Sequence, residues 1–124
     1  MTWIVRFDDE FEQEFFELPE CVQDELLARL GHLEREGPLL GRSYVDTLNA
    51  SGFARMKELR STAAQSAWRV AFAFDPQRTA IILVAGTKSG ISQTRFYRWL
   101  IEVADRRWIR HIEGLQEANN GKDT

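Results

Sequence analysis

The side chains best suited to chemistry in this chain are cations set on short alternating segments. In WRVAFAF (68–74) the two-residue period of a strand puts Trp68, Val70, Phe72 and Phe74 on one face and Arg69, Ala71 and Ala73 on the other. Arg69 therefore emerges among small neighbours, which leave room for a ligand or for a packed helix. In MKELR (56–60) the same period groups Glu58 with Arg60 and sets Lys57 with Leu59 on the opposite face. If these strands pair, Arg60 and Arg69 converge. Two guanidiniums on one concave face can hold a phosphodiester and stabilise the extra negative charge of a phosphoryl-transfer transition state. The alternative is that each arginine pairs with Glu58, Asp46 or Asp75 and only covers the sheet.

Lys88, in the small-residue loop 86–93, offers a third cation. Tyr97, at the start of the last helix, can stack on a base or give a proton to a leaving oxygen, although an aromatic beside Phe96 and Trp99 also suits packing. Arg95 and Arg98 lie off the apolar stripe of the same helix and are assigned to substrate binding. His111, near its end, is a further catalytic candidate, whereas an imidazole there commonly meets terminal carbonyls, and His32 reads as structural. Other chemistries fit poorly. Gly86-Thr87-Lys88-Ser89-Gly90 lacks the glycine spacing of a phosphate-binding loop, there is no serine elbow, and two distant histidines with scattered carboxylates provide no ligand-spaced metal cluster.

The charge is unevenly placed. Residues 1–36 carry eleven acids against three arginines, residues 37–112 carry twelve basic residues against five acids, and 113–124 carry three acids and one lysine. The net charge of -3 thus conceals a middle and last helix with a balance of +7, where a phosphate-binding face can form on a protein of pI about 5.4. Cys21 is the sole cysteine, which excludes an internal disulfide and a cysteine-based zinc site. The start MTWIVRFDDE has no basic, apolar leader, and no apolar run reaches the ~18 residues of a membrane span, so a cytoplasmic location without membrane association is expected.

The elements that must position these residues follow from periodicity. Trp3–Phe7 reads as a strand. Asp8 or Asp9 caps a helix with Phe11, Phe15 and Leu18 at helical spacing, and a second helix with Val22, Leu26, Leu30 and Leu33 on one stripe ends at Gly37-Pro38. Residues 38–55 read as loop with a short strand around Tyr44–Leu48. Strands are expected at Met56–Arg60, Trp68–Phe74 and Thr79–Ala85, with 63–67 a connection, 75–78 a turn, and the third strand covered on both faces. A helix capped by Thr94 runs to about Ile112, and the polar segment from 113 to 124 is a tail, frayed from Gln116 onward. Hairpin-linked strands with helices segregated at the ends make an α+β domain over 1–112, with a mainly antiparallel sheet, an N-terminal helix hairpin and a C-terminal helix.

In this order, LLGRSYVDTLNASGFARMKELR, WRVAFAFDPQRTAIILVAGTKSG and RFYRWLIEVADRRWIRHI resemble the RelE/HigB superfamily of type II toxin–antitoxin toxins, in its phage-related HigB-like branch, over about residues 1–112. The resemblance implies a RelE-like, microbial-RNase-type fold and an endoribonuclease (mRNA interferase) that cuts mRNA on the ribosome and inhibits translation. It further implies that no metal or cofactor is needed, because the substrate 2′-OH attacks the adjacent phosphate. Under it, Arg60 and Arg69 bind phosphate and stabilise the transition state, Lys88 is the basic loop position, Tyr97 is the stacking or proton-transferring aromatic, and Lys57 or Glu58 is the general base. His111 corresponds to a C-terminal histidine of some members. The implied partners are mRNA, the ribosome and an antitoxin with a helix-turn-helix domain, through which alone operator DNA would be met. The competing expectation is a toxin-fold module without catalysis that serves the antitoxin in operon repression.

Overall fold

The computed structural model describes residues 2–41 and 43–122; Arg42 of the family-like run, and Asp123 and Thr124 of the tail, lie outside the described residues. Strand β1 (Ile4–Phe7) leads to α1 (Asp9–Glu17), α2 (Glu20–Glu36) and a 3₁₀ turn at Gly37–Leu39. Strands β2 (Val45–Thr47), β3 (Lys57–Ala63), β4 (Ser66–Phe74) and β5 (Thr79–Thr87) follow, and α3 (Gln93–Lys122) closes the chain. The strands form one sheet in the order β1-β5-β4-β3-β2, antiparallel except for the β1–β5 pair.

Local chemistry accounts for the element ends. Asp8 caps α1, its Oδ2 accepting from the backbone N–H of Glu10 at 3.1 Å and of Phe11 at 3.2 Å. Helix α2 stops at Gly37, whose φ of +55° favours glycine and over which the Trp3 indole packs so closely that a Cβ would lie 2.3 Å from its Nε1. Ser92, not Thr94, caps α3: its Oγ accepts from Arg95 N–H at 3.2 Å. The helix continues without a break past Ile112, so the polar segment is helical as far as it is described. β3 also runs further than expected, to Ala63, and only Ala64 and Gln65 connect it to β4. Both have positive φ, +50° and +61°, as a two-residue hairpin turn of matching twist demands.

The sheet separates two apolar layers. The α1–α2 hairpin covers one face, where Phe11, Phe15, Leu26 and Leu33 meet Leu59, Val70, Phe72 and Ile82. Helix α3 covers the other, where Phe96, Leu100 and Ala104 meet Ala71, Ala73, Ile81 and Leu83. The small side chains of β4 thus receive the helix over Ala71 and Ala73 and leave Arg69 beyond it. β5 is buried on both faces, as its apolar run requires.

The acidic first third and the basic last helix neutralise each other in part. Arg107 is only 5% exposed. It donates to Leu83 O at 2.7 Å, Glu10 Oε2 at 3.0 Å and Glu14 Oε1 at 2.9 Å, while Arg110 pairs with the buried Asp8. These contacts tie α1, α3 and β5 together. No helix among the described residues is long and apolar enough to cross a membrane.

Two stability outcomes follow from these local arrangements. Arg107→Ala should lower the unfolding free energy by about 3 kcal/mol, the low end for removing one partner of a buried charge network, because Glu10 and Glu14 are half exposed. Exposed Arg106→Ala serves as the control in the same urea titration, at about 0.5 kcal/mol or less. Replacing Ala64-Gln65 by Asn-Gly should stabilise by about 1 kcal/mol, since it relieves two left-handed residues; an unchanged or lower denaturation midpoint would reject that account of the turn.

Candidate active site

The β3–β4 register decides which side chains meet. Arg60 stands directly opposite Arg69, Arg69 opposite Gly86 on β5, and Glu58 opposite Ala71 and, on the β2 side, Asp46. Glu58, Arg60 and Arg69 therefore share the α3 face of the sheet, just past the N-terminal end of that helix. Arg60 is held by carboxylates: its Nη2 lies 3.2 Å from Asp46 Oδ2 and 3.2 Å from Glu58 Oε1, and its Nε donates to Glu58 Oε1 at 3.3 Å. Arg60 thus does form the carboxylate pairs that the surface-covering alternative foresaw.

Glu58 is 4% exposed, and its second oxygen, Oε2, is buried with no hydrogen-bond partner. Arg69 donates from Nη1 to Trp68 O at 2.9 Å, and its Nε is likewise buried without a partner. Unmade bonds on buried charged groups are costly, and they cluster here on the two groups whose partners would be a proton donor and an anion. Lys88 follows β5, with Nζ 4.8 Å from the centre of the Tyr97 ring. Burial pushes the Lys88 ammonium pKa down first, neighbouring Arg69 pushes it further, Glu58 opposes, and Arg60 adds to the lowering. Burial raises the Tyr97 phenol, the Glu58 carboxylate beside it raises it further, and Arg69 pulls it back. Tyr97 therefore holds its proton through the neutral range.

Tyr97 reaches this position because Gly86 has no side chain. A Cβ there would lie 2.6 Å from the Trp99 ring and 3.1 Å from Phe96, so the first turns of α3 could not settle on β5. Gly86 and Asp46 complete the site and were not singled out as site residues from sequence. A glycine within an apolar strand is the one available signal for such a close approach.

Other expected residues lie elsewhere. Lys57 is on the opposite face of the sheet, donating to Thr47 Oγ1 at 3.1 Å and bordering a cavity of about 280 Å³ with Gly37, Leu40 and Phe72. Of the two candidate bases, the pleat brings only Glu58 to the arginines. His111 lies fourteen residues beyond Tyr97, about 21 Å along the helix. Its Nε2 is 2.9 Å from Asp75 Oδ2 and its ring stacks on Trp108, so it ties α3 to the β4–β5 turn and does not reach the cluster. Arg95 and Arg98 are exposed on the opening turns of α3, beside the cluster and not in it. His32 packs edge-on against Tyr44 and borders a cavity of about 370 Å³ on the α2 side.

The arrangement gathers Arg60, Arg69 and Lys88 around the carboxylates of Glu58 and Asp46, with a protonated phenol at the rim. It can bind an anion, accept a proton at Glu58 and supply one from Tyr97. Among the described residues no three His, Cys, Asp or Glu side chains gather closely enough to hold a metal ion.

Known proteins share this chain and fold. Residues 13–109 match the family described as phage derived protein Gp49-like (DUF891). The HigB3 toxin protein of Mycobacterium tuberculosis is 43% identical over 106 residues, 83% of this chain and 90% of that protein. The HigB2 toxin protein of the same organism is 41% identical over 93 residues, which are 74% of this chain and 46% of that protein. A free double arginine-to-alanine mutant of Escherichia coli toxin RelE superposes with a TM-score of 0.56 at 12% identity, over 82% of this chain and 95% of RelE. The RelE chain of the Pyrococcus horikoshii RelE–RelB complex gives 0.52 at 18% identity, over 73% and 99%. With the matched family model spanning most of the chain and a HigB relative matched along most of its own length, the chain belongs to the Gp49-like family of HigB/RelE-type toxins, and its fold is RelE-like.

Proposed function

We propose that this chain is the toxin of a type II toxin–antitoxin system, a cytoplasmic endoribonuclease that cuts mRNA on the ribosome and so inhibits translation. The observation that carries the reading is the meeting of Glu58, Arg60, Arg69, Lys88 and Tyr97 on one face of the sheet. The substrate supplies its own nucleophile. Glu58 takes the proton of the 2′-OH, the 2′ oxygen bonds to the adjacent phosphorus, and the P–O5′ bond breaks. Arg69 and Arg60 stabilise the extra charge on the phosphoryl oxygens. Tyr97 gives its proton to the departing 5′ oxygen, leaving a 2′,3′-cyclic phosphate and a 5′-OH. Lys88, with Arg95 and Arg98 outside the cluster, holds flanking phosphates. No step requires a metal ion. An antitoxin with a helix-turn-helix domain is the cognate partner and carries the pair to operator DNA.

A second reading, a toxin-fold module without catalysis that acts with the antitoxin in repression, draws support from one observation: the Arg60 guanidinium is already engaged by Glu58 and Asp46. A cell-free translation reaction with mapping of new mRNA 5′ ends separates the two. Ribosome-dependent cuts are expected from the wild-type chain; none from a folded chain would favour the module, and cuts without ribosomes would mean a free ribonuclease.

Within that assay, Arg69→Ala should cost about 2–4 kcal/mol of transition-state stabilisation, and Glu58→Gln about 10²–10⁴-fold in rate. Lys57→Ala, on the other face, should cut nearly as wild type, and a dead Lys57 variant with an active Glu58 variant would reverse the assignment of the base. The unpaired cations also predict a trade of stability for function. The lowered pKa of Lys88 means that its charge opposes folding at neutral pH and that this opposition fades as pH rises through the folded value towards 10.5. Lys88→Met should accordingly be more stable than wild type at pH 7.5, with the difference shrinking at pH 10.5, while cleavage falls. An equal difference at both pH values in chemical denaturation would refute the electrostatic origin.

A further inference from the structure

On the hairpin face of the sheet, away from the arginine cluster, a cavity of about 280 Å³ opens between the 3₁₀ turn at Gly37–Leu39 and the outer strands β2, β3 and β4. Its apolar walls come from Leu40, Val45, Phe72 and Phe74, and recorded contacts hold them in place. Leu40 N–H donates to Gly37 O at 3.1 Å, Val45 stands opposite Leu59 in the β2–β3 register, and the Phe74 ring meets the Phe72 and Trp3 rings edge-on at 5.7 and 5.4 Å. One charge is fixed with them. The half-buried Lys57 borders the cavity, and its Nζ donates to Thr47 Oγ1 at 3.1 Å, which leaves its remaining donors for another acceptor. Exposed Arg55 borders the cavity as well, and among the described residues neither cation has a carboxylate within 4 Å. Beside it, in the 3₁₀ turn, the Leu39 side chain is 86% exposed.

We propose that this cavity is the docking point for an acidic segment of a partner protein, which seats one bulky apolar side chain in it and sets a neighbouring carboxylate on Lys57. Size and lining decide the occupant. The volume falls below the range of about 300–1,000 Å³ usual for small-molecule sites, and the walls carry no polar side chain besides the two cations to orient a nucleotide or a cofactor. A single leucine or phenylalanine anchor in a rigid apolar pocket, with a charge-assisted bond at its edge, is how a protein segment concentrates its affinity. Leu39 then lies under the same segment, and the uncompensated charge of Lys57 and Arg55 draws an acidic chain to it. The inference rests on the toxin–antitoxin reading only in naming that partner as the antitoxin.

The test is a nuclear magnetic resonance titration of the full chain with three tripeptides blocked at both ends: phenylalanine between two glutamates, the same peptide with both glutamates replaced by glutamine, and the same peptide with phenylalanine replaced by alanine. The first should shift the Leu40 and Val45 methyl signals and bind on the order of tenfold tighter than either of the others, with its advantage over the glutamine peptide shrinking as salt is raised. In Lys57→Gln the glutamate and glutamine peptides should bind alike. Equal binding of all three, no binding, or a glutamate preference that survives in Lys57→Gln overturns the proposal. Phenylacetate binding as tightly as the first peptide also overturns it, since the cavity would then be a site for a free acid. The comparison of peptides on the wild-type chain needs no variant, so it decides the matter even where Lys57→Gln does not fold. Selective peptide binding without any cuts in the 5′-end map sinks the nuclease and leaves the docking site standing; cuts without peptide binding do the reverse.

Discussion

Two guanidiniums face each other across adjacent strands, and the buried carboxylate of Glu58 is what makes that arrangement tolerable. Like charges directly opposite in an antiparallel pair repel, and Arg60 and Arg69 occupy such a pair. Glu58, two residues before Arg60 on the same strand face, satisfies Arg60 with one oxygen and keeps the other free. Asp46 adds a second counter-charge from the neighbouring short strand. The rest of the domain can be understood as what holds this electrostatic compromise in place. The hairpin turn sets the register that opposes the arginines, the α1–α2 hairpin supports the sheet from behind, and α3 leaves the arginine end of β4 uncovered.

A second compensation operates at larger scale. The acidic N-terminal third and the basic last helix would each repel themselves if left alone, and the fold joins them through Arg107, Arg110, Asp8, Glu10 and Glu14. That neutralisation occurs midway along α3. Arg95 and Arg98, at its beginning, stay exposed beside the cluster, so the positive potential is left where an RNA backbone would approach. The burial of Arg107 against Leu83 O also gives α3 a fixed rotation on the sheet, which carries through to the place of Tyr97 two turns and more before it.

Small residues do as much positioning as charged ones. Ala71 and Ala73 let α3 approach β4, and Gly86 lets Trp99 and Phe96 approach β5. Tyr97 then stands beside Lys88, Glu58 and Arg69, where burial and the carboxylate keep its proton on. A larger side chain at any of the three positions would move the helix before it touched the arginine–carboxylate cluster.

Much of this protein was legible in its residues alone. Two-residue alternation set Glu58 with Arg60 and apart from Lys57, and Arg69 with Ala71 and Ala73 on its own strand, and the apolar run 79–85 required a strand covered on both faces. Cap and glycine chemistry located α1 and the end of α2, and the ordered segments pointed to the family. Alternation could not say which strands pair or in what register, because pairing depends on a turn whose Ala64 and Gln65 carry no turn signature and adopt left-handed backbone only under the sheet's constraint. Nor could it separate Glu58 from Lys57 as base, bring Asp46 across from a three-residue strand, or send His111 away to Asp75. Local sequence determines which way a side chain points from its own element; only the packed sheet and helix decide what it points at.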